Sequence, residues 1–422
     1  MPGRSGGATS PTTAVPTGPV ASGAAIKDPG AFASDLTFKD VSKQLNKALA
    51  GYTDRTLSFG EGTMKVPLDW ANPTNGKTVS ITVLRIRSAS EHDRIGSLVI
   101  NPGGPGGSGV EAALDLAASE LPQAILDRFD IVGFDPRGIG LSHPLQCIPA
   151  KEKDADLNMP ADPVTAAQWN ANVAEARKIA DECYSIYGND LTYYSTAETV
   201  RDMEALRAKL GDAKLTYLGY SYGTLLGSEY ASAYPDKVRA LVLDGAVDPT
   251  IDTLDQDKTQ AAGFALAFSH FAASCGKKSS CPLGSDPQVW VKNLMAKANA
   301  EPIPSGDSKD DRVAKGGAVL LAVISALYDE TQWGQLATAL SDASNGDASG
   351  VLALDDQYNE RQPDGTYSNI EDSNAAIACA DDTERPTEAQ ARALQAQWRA
   401  SDPLFGGSAA AGLGFCSLWK TP

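Results

Sequence analysis

The chain has 422 residues, more than one ordinary domain, with 36 Lys and Arg against 53 Asp and Glu and a formal net charge of −17. A surface so acidic repels nucleic-acid backbones and anionic membranes and suits a soluble extracellular protein. The apolar run 316–328 is too short to span a bilayer and reads as a buried helix.

Residues 1–40 are rich in Gly, Ser, Thr, Pro and Ala and read as a flexible linker. Such tracts sit between an export signal or lipid anchor and a catalytic domain, so the true start is expected upstream of residue 1. From 41 to 250, short β-prone runs alternate with helix-permissive segments. Strands are expected near 56–59, 78–87, 97–100, 129–134, 215–218 and 240–243. That alternation predicts an α/β fold, a mostly parallel sheet with helices on both faces.

Three of these strands end in segments that carry chemistry. The run 96–100 leads into N-P-G-G-P-G-G-S-G at 101–109, where five glycines leave the backbone bare. Such a loop can aim an N–H at a carbonyl oxygen. It lacks the Lys-Ser/Thr of a phosphate loop, and its spacing does not fit a dinucleotide. The run 129–134 ends in D-P-R-G at 135–138. Arg137 there either braces the strand-end loops or binds a substrate carboxylate. The run 215–218 leads into G-Y-S-Y-G at 219–223, a G-x-S-x-G turn between a strand and a helix, which forces the Ser221 hydroxyl outward. The helix behind it aims N–H groups at a developing oxyanion. A fourth buried strand ends in L-D-G-A-V-D-P at 243–249.

Beyond 250 the pattern turns helical, with apolar spacing over 254–274, 287–300, 313–328, 331–344 and 387–400. This predicts a helical cap over 251–405 that roofs the serine and limits access to chain ends. Within it, I-A-C-A-D-D-T-E at 377–384 concentrates acids, and Asp381 is the candidate for holding a substrate ammonium; a solvated loop is the plainer reading. Residues 406–422 read as the start of a return to the core. Six cysteines invite pairing in sequence order, Cys147–Cys183, Cys275–Cys281 and Cys379–Cys416, because the middle pair closes a small polar loop and the others bracket single insertions. Reduced core cysteines are the alternative. No C-x-x-C or Cys/His cluster points to zinc, and no metal or cofactor is expected.

Taken together, N-P-G-G-P-G-G-S-G, D-P-R-G-I-G-L-S, G-Y-S-Y-G-T and L-V-L-D-G-A-V-D-P, in this order, resemble the secreted actinobacterial tripeptidyl aminopeptidases. These belong to the prolyl-iminopeptidase branch of the α/β-hydrolases, and the resemblance covers about residues 40–422. It implies Ser221 as nucleophile, the Gly104 and Tyr222 N–H groups as oxyanion hole, and release of short peptides from a free N-terminus. The partner is then a peptide substrate, with no nucleic acid and no membrane span.

The family's triad Asp and His lie after the cap, on loops following the last two strands. The three histidines here, His92, His143 and His270, occupy a polar turn, the loop after D-P-R-G-I-G-L-S and a cap helix. The expectation is therefore that the last strands are missing, that a longer chain supplies them, and that these 422 residues alone are weakly active. An esterase or amidase on the same machinery, and a non-catalytic binding protein on the same scaffold, are the competing functions.

Overall fold

The β-prone segments pair into one seven-stranded sheet in the computed structural model, which describes residues 26–279 and 281–420. Its strands are β1 (Phe38–Asp40), β2 (Leu57–Pro67), β3 (Thr78–Ser88), β4 (Gly96–Asn101), β5 (Phe129–Phe134), β6 (Leu215–Tyr220) and β7 (Val238–Asp244). Their spatial order is β1-β2-β3-β5-β4-β6-β7. The pairs β4–β5, β4–β6 and β6–β7 are parallel; β1–β2, β2–β3 and β3–β5 are antiparallel. Strands β2, β4, β5, β6 and β7 thus run one way, the mostly parallel arrangement of an α/β-hydrolase.

Burial explains the strand sequences. Every residue of β4 and β5 is buried, as for central parallel strands covered on both faces. On β3, Ile81 and Val83 pack in one cluster with Met203, Leu206 and Leu226, while Leu84 and Ile86 join Ala113, Leu116 and Ala117 in another. Period-two alternation therefore feeds two cores, one under each helical layer.

The sheet extends further than the sequence pattern indicates. Of the expected linker, residues 1–25 lie outside the described residues. Pro29–Phe32 form a 3-10 turn, and Phe38–Asp40 form β1 against β2. Strand β2 runs to Pro67, eight residues past its expected end. Gly60 and Gly62 hid it. A Cβ on Gly62 would stand 2.8 Å from Leu36 Cδ1, so these glycines are where the N-terminal segment crosses the strand. At the other edge, β7 pairs only with β6 among the described residues, and Val242 is 58% exposed.

The cap helices Thr253–Cys275, Pro287–Ala300, Gly316–Leu327, Trp333–Ser344 and Ser349–Tyr358 share a separate core that includes Phe268, Phe271, Leu294, Val319, Val323 and Leu340. Two further helices follow, Ile370–Asp381 and Glu388–Ser401. The helix Ala166–Tyr187, which follows β5 in sequence, also packs on this side. Its Trp169 lies against Ala391 and Trp398 and donates Nε1–H to Gln395 at 3.2 Å. No helix among the described residues is long and apolar enough to cross a membrane. The three disulfides join Cys147–Cys183, Cys275–Cys281 and Cys379–Cys416, in sequence order.

Candidate active site

Ser221 stands between β6 and the helix Tyr222–Ala233, with φ 51° and ψ −123°. An L residue held there costs about 1–3 kcal/mol and persists only where its surroundings over-determine it. They do so here. Ser221 N–H donates to Asp244 O on β7 at 2.9 Å, and Thr224 N–H and Oγ1–H donate to Ser221 O at 2.8 and 2.6 Å. The flanking glycines are sterically required: a Cβ on Gly219 would lie 2.4 Å from Gly223 O, and one on Gly223 2.7 Å from Asn101 O. The Ser221 side chain is exposed, and its hydroxyl has no hydrogen-bond partner among the described residues.

The glycine-rich loop closes on this turn. A Cβ on Gly103 would sit 3.0 Å from Ser221 Cβ, 3.0 Å from Tyr222 N and 2.5 Å from Tyr220 O. Gly103 N–H is occupied by Asn101 Oδ1 at 2.9 Å, whereas Gly104 N–H and Tyr222 N–H donate to no group among the described residues. Two free donors beside an exposed serine at a helix N-terminus are the parts an oxyanion hole needs.

Asp135 fixes the far end of the loop. It accepts from Ser108 Oγ (2.6 Å), Val110 N (3.1 Å) and Leu141 N (2.8 Å), and burial still raises its pKa. Arg137 is fully enclosed, with all five donor positions filled. Nε and Nη2 grip Asp202 at 2.8 and 2.7 Å, and Nη1 and Nη2 reach the carbonyls of Leu68, Tyr193 and Pro67. It braces the strand ends and has no donor left for substrate.

The helix Ile370–Asp381, whose Ala376, Ile377 and Cys379 pack in the same core as Tyr222, also braces the loop, a role the sequence did not disclose. Asn374 Nδ2 donates to Pro105 O at 2.9 Å, and a Cβ on Gly106 would strike Ile370 O at 2.6 Å. Asn369 Nδ2 reaches the carbonyls of Gly138 and Leu145. At the other end of this helix, Asp381 accepts from Thr196 N at 2.9 Å and from Thr196 Oγ1 at 2.6 Å, and Thr196 Oγ1 also meets the Tyr222 hydroxyl at 2.5 Å. Asp381 lies in a recess, ringed by protein yet reached by solvent. That crowding pushes its carboxyl up to about 6 against the pull of the Thr196 bonds. The Tyr222 phenol is buried and raised well above its usual value. Thr196 was hidden behind an ordinary helix start, S-T-A-E, in which Ser195 caps the helix.

The three histidines are exposed, and none hydrogen-bonds Ser221. His92 Nδ1 lies 3.0 Å from Ser90 O; His143, at φ 56°, sits beside Leu68, Tyr187 and Tyr194. Among the described residues no group of three metal-ligating side chains converges.

Residues 96–340 match the family model for the alpha/beta hydrolase fold. The chain is 38% identical over 379 residues to the serine protease Hip1 of Mycobacterium tuberculosis, covering 86% of this chain and 71% of that protein. It is 36% identical over 375 residues to carboxylesterase B of the same organism, covering 85% of this chain and 70% of that one. Over 207 residues it is 39% identical to a tripeptidyl aminopeptidase of Streptomyces coelicolor, covering 46% and 38% of the two chains. With the strained serine, the glycine loop and the sheet order all in place, the chain belongs to the α/β-hydrolases, as a serine hydrolase of their actinobacterial peptidase-like family.

Proposed function

We propose that the protein is a serine exopeptidase that cleaves peptide bonds near a free N-terminus through an acyl-enzyme on Ser221. The observation that carries this reading is the exposed, strained Ser221 held against a loop whose Gly104 N–H, with that of Tyr222, is free to bind an oxyanion. In this mechanism Ser221 Oγ attacks the scissile carbonyl carbon as a base takes its proton. The carbonyl oxygen draws on the two N–H groups, the amine leaves with a proton, and water then releases the acyl peptide. None of His92, His143 and His270 contacts Ser221, so we assign none of them as that base.

Unpaired carboxylates support a substrate bearing an ammonium. Glu229, Asp257 and Asp381 have no cationic partner within salt-bridge distance among the described residues, nor do Glu111, Glu360 and Glu371. Burial lifts Asp257 to about 6 and Glu371 to about 7, a cost that an incoming cation would offset. We assign Asp381, the solvent-reached member nearest Tyr222, as the ammonium acceptor. The likeness to the tripeptidyl aminopeptidase favours peptides, whereas the likeness to carboxylesterase B supports ester hydrolysis as the second reading. Three disulfides favour an oxidising, extracellular or cell-surface location.

The test uses a fluorophosphonate probe and a substrate panel on the full-length protein. The probe should label wild type and not Ser221→Ala. A chromogenic tripeptide with a free amine should exceed its N-acetylated form in kcat/KM by about tenfold or more, the effect of one lost ion pair of ~1.4 kcal/mol. Equal rates on both forms, with faster turnover of neutral esters, would replace the exopeptidase reading with the esterase one.

A further inference from the structure

Tyr222 contributes more than its backbone to this site. Its hydroxyl is enclosed and meets one group, Thr196 Oγ1, at 2.5 Å. A threonine hydroxyl has a single proton, and Thr196 gives it to Asp381 Oδ2 at 2.6 Å. The direction of the chain is then fixed: Tyr222 O–H donates to Thr196, and Thr196 O–H donates to Asp381. Thr196 N–H adds a second bond to Asp381 Oδ1 at 2.9 Å, so the carboxylate clamps both ends of this residue. The connection spans three elements. Asp381 ends the helix Ile370–Asp381, Thr196 begins the helix that follows the 3-10 segment Gly188–Tyr193, and Tyr222 begins the elbow helix. The Cys379–Cys416 disulfide anchors the Asp381 end, two residues away.

We propose that Asp381 and Thr196 are positioning residues that hold Tyr222, and with it the backbone N–H of the oxyanion hole, in register with Ser221. The inference rests on the assignment of the Tyr222 N–H as an oxyanion donor and gives Asp381 a role independent of the substrate amine. The first residue of a helix has no intrahelical partner for its N–H, and the peptide unit that carries the Tyr222 N–H is held at its other end, where Ser221 O accepts from Thr224 N–H and Oγ1–H. The side chain of Tyr222 is in addition pinned at its far tip, so the chain to Asp381 holds the Cα of Tyr222 against the elbow while Thr224 orients its peptide plane. The end of the helix Ile370–Asp381 is thereby tied to the oxyanion hole by a route separate from the substrate amine.

A neutral acyl ester with no amine separates the two roles of Asp381. In the full-length protein, Asp381→Ala, Thr196→Val and Tyr222→Phe are each assayed on that ester, with kcat normalised to fluorophosphonate-titrated sites. Positioning predicts that kcat per site falls about tenfold while KM holds within about twofold, part of the 10²–10³ that loss of a whole oxyanion donor costs. Thr196→Ser, which keeps the hydroxyl, should restore most of the rate. Because the three act through one chain, the Thr196→Val/Tyr222→Phe double variant should lose little more than either single one. Ester kcat per site unchanged in all three, with only free-amine peptides impaired, overturns the inference and leaves the ammonium role standing. Should Asp381→Ala fail to fold, Tyr222→Phe, which removes one atom, decides the same question. Absence of labelling in wild type would instead refute the serine-hydrolase assignment on which both roles rest.

Discussion

Replacing Gly103 with alanine tests the closest approach in the site. The added methyl would stand 2.5 Å from Tyr220 O and 3.0 Å from both Ser221 Cβ and Tyr222 N, at φ +96°. None of these atoms belongs to a flexible side chain that could swing away, so the loop itself must retreat. The left-handed backbone alone costs an L residue about 1–2 kcal/mol. The reduced freedom of the unfolded chain returns about 0.4–1 kcal/mol. Removing a contact of 2.5 Å then needs a loop shift of roughly 0.5–1 Å, and a misplacement of about 1 Å near the chemistry costs ~10²-fold in rate. The expected result is a folded protein whose kcat on a chromogenic ester drops by about 10²–10³, equivalent to ~2.7–4 kcal/mol of lost oxyanion stabilisation. Gly51→Ala is the control, because it shares a positive φ (+85°) but has nothing within 4 Å of the new methyl. It should lose about 1 kcal/mol of stability and no activity. Steady-state kinetics and urea unfolding on both variants decide the matter. If Gly103→Ala retains kcat within about threefold, a difference below ~0.7 kcal/mol, the loop does not form the oxyanion hole as described.

Three other outcomes follow from the same geometry. Ser221→Gly should abolish fluorophosphonate labelling and yet unfold at higher urea, because glycine relieves the φ 51° strain, worth about 1–2 kcal/mol; a drop in stability would mean the turn is not strained. Arg137→Met should cost about 3–5 kcal/mol by urea unfolding, since it leaves the buried Asp202 carboxylate without its cation. Arg137→Lys should recover only part of this, lacking the five-donor fork. The acid–base prediction concerns carboxyls raised above their unfolded values: Asp156, Asp257 and Asp381 to about 6, Glu371 to about 7 and Asp355 to about 8. The folded state binds more protons than the unfolded one between about pH 4 and 8, so stability falls as pH rises through that window. Thermal melts should show a higher Tm near pH 5.5 than near pH 8; the reverse order would refute these assignments.

How much of this was legible beforehand depended on whether a function needs a local pattern or a distant meeting. The elbow and the glycine loop each lie within ten residues, and their chemistry requires small residues at fixed offsets. Steric necessity therefore wrote them into the sequence, as the 2.4 Å approach at Gly219 and the 2.5 Å approach at Gly103 show. Central strands β4 and β5 were equally plain, because burial on both faces favours largely apolar runs, with the ion-paired Asp130 as the buried charge. The misses share the opposite property. Strand β2 carries glycines where another segment crosses it, so its pattern reports a tertiary contact and not a strand. The helix Ile370–Asp381 buries Asp372 and Ser373 beside Ala376, Ile377 and Cys379, and Asp372 pairs with Lys153 at 2.7 Å, so charge interrupts the apolar stripe that would have announced a helix. Its Asn374 and Asp381 act on Pro105 and Thr196, 269 and 185 residues away in the chain. No spacing rule encodes such distances, and an acid at a helix end looks the same whether it faces water, substrate or a threonine. Asp381 could thus be singled out from its neighbourhood of acids and a cysteine. Its bond to Thr196, and through it the hold on Tyr222, exists only once the helix Ile370–Asp381 has folded against the sheet.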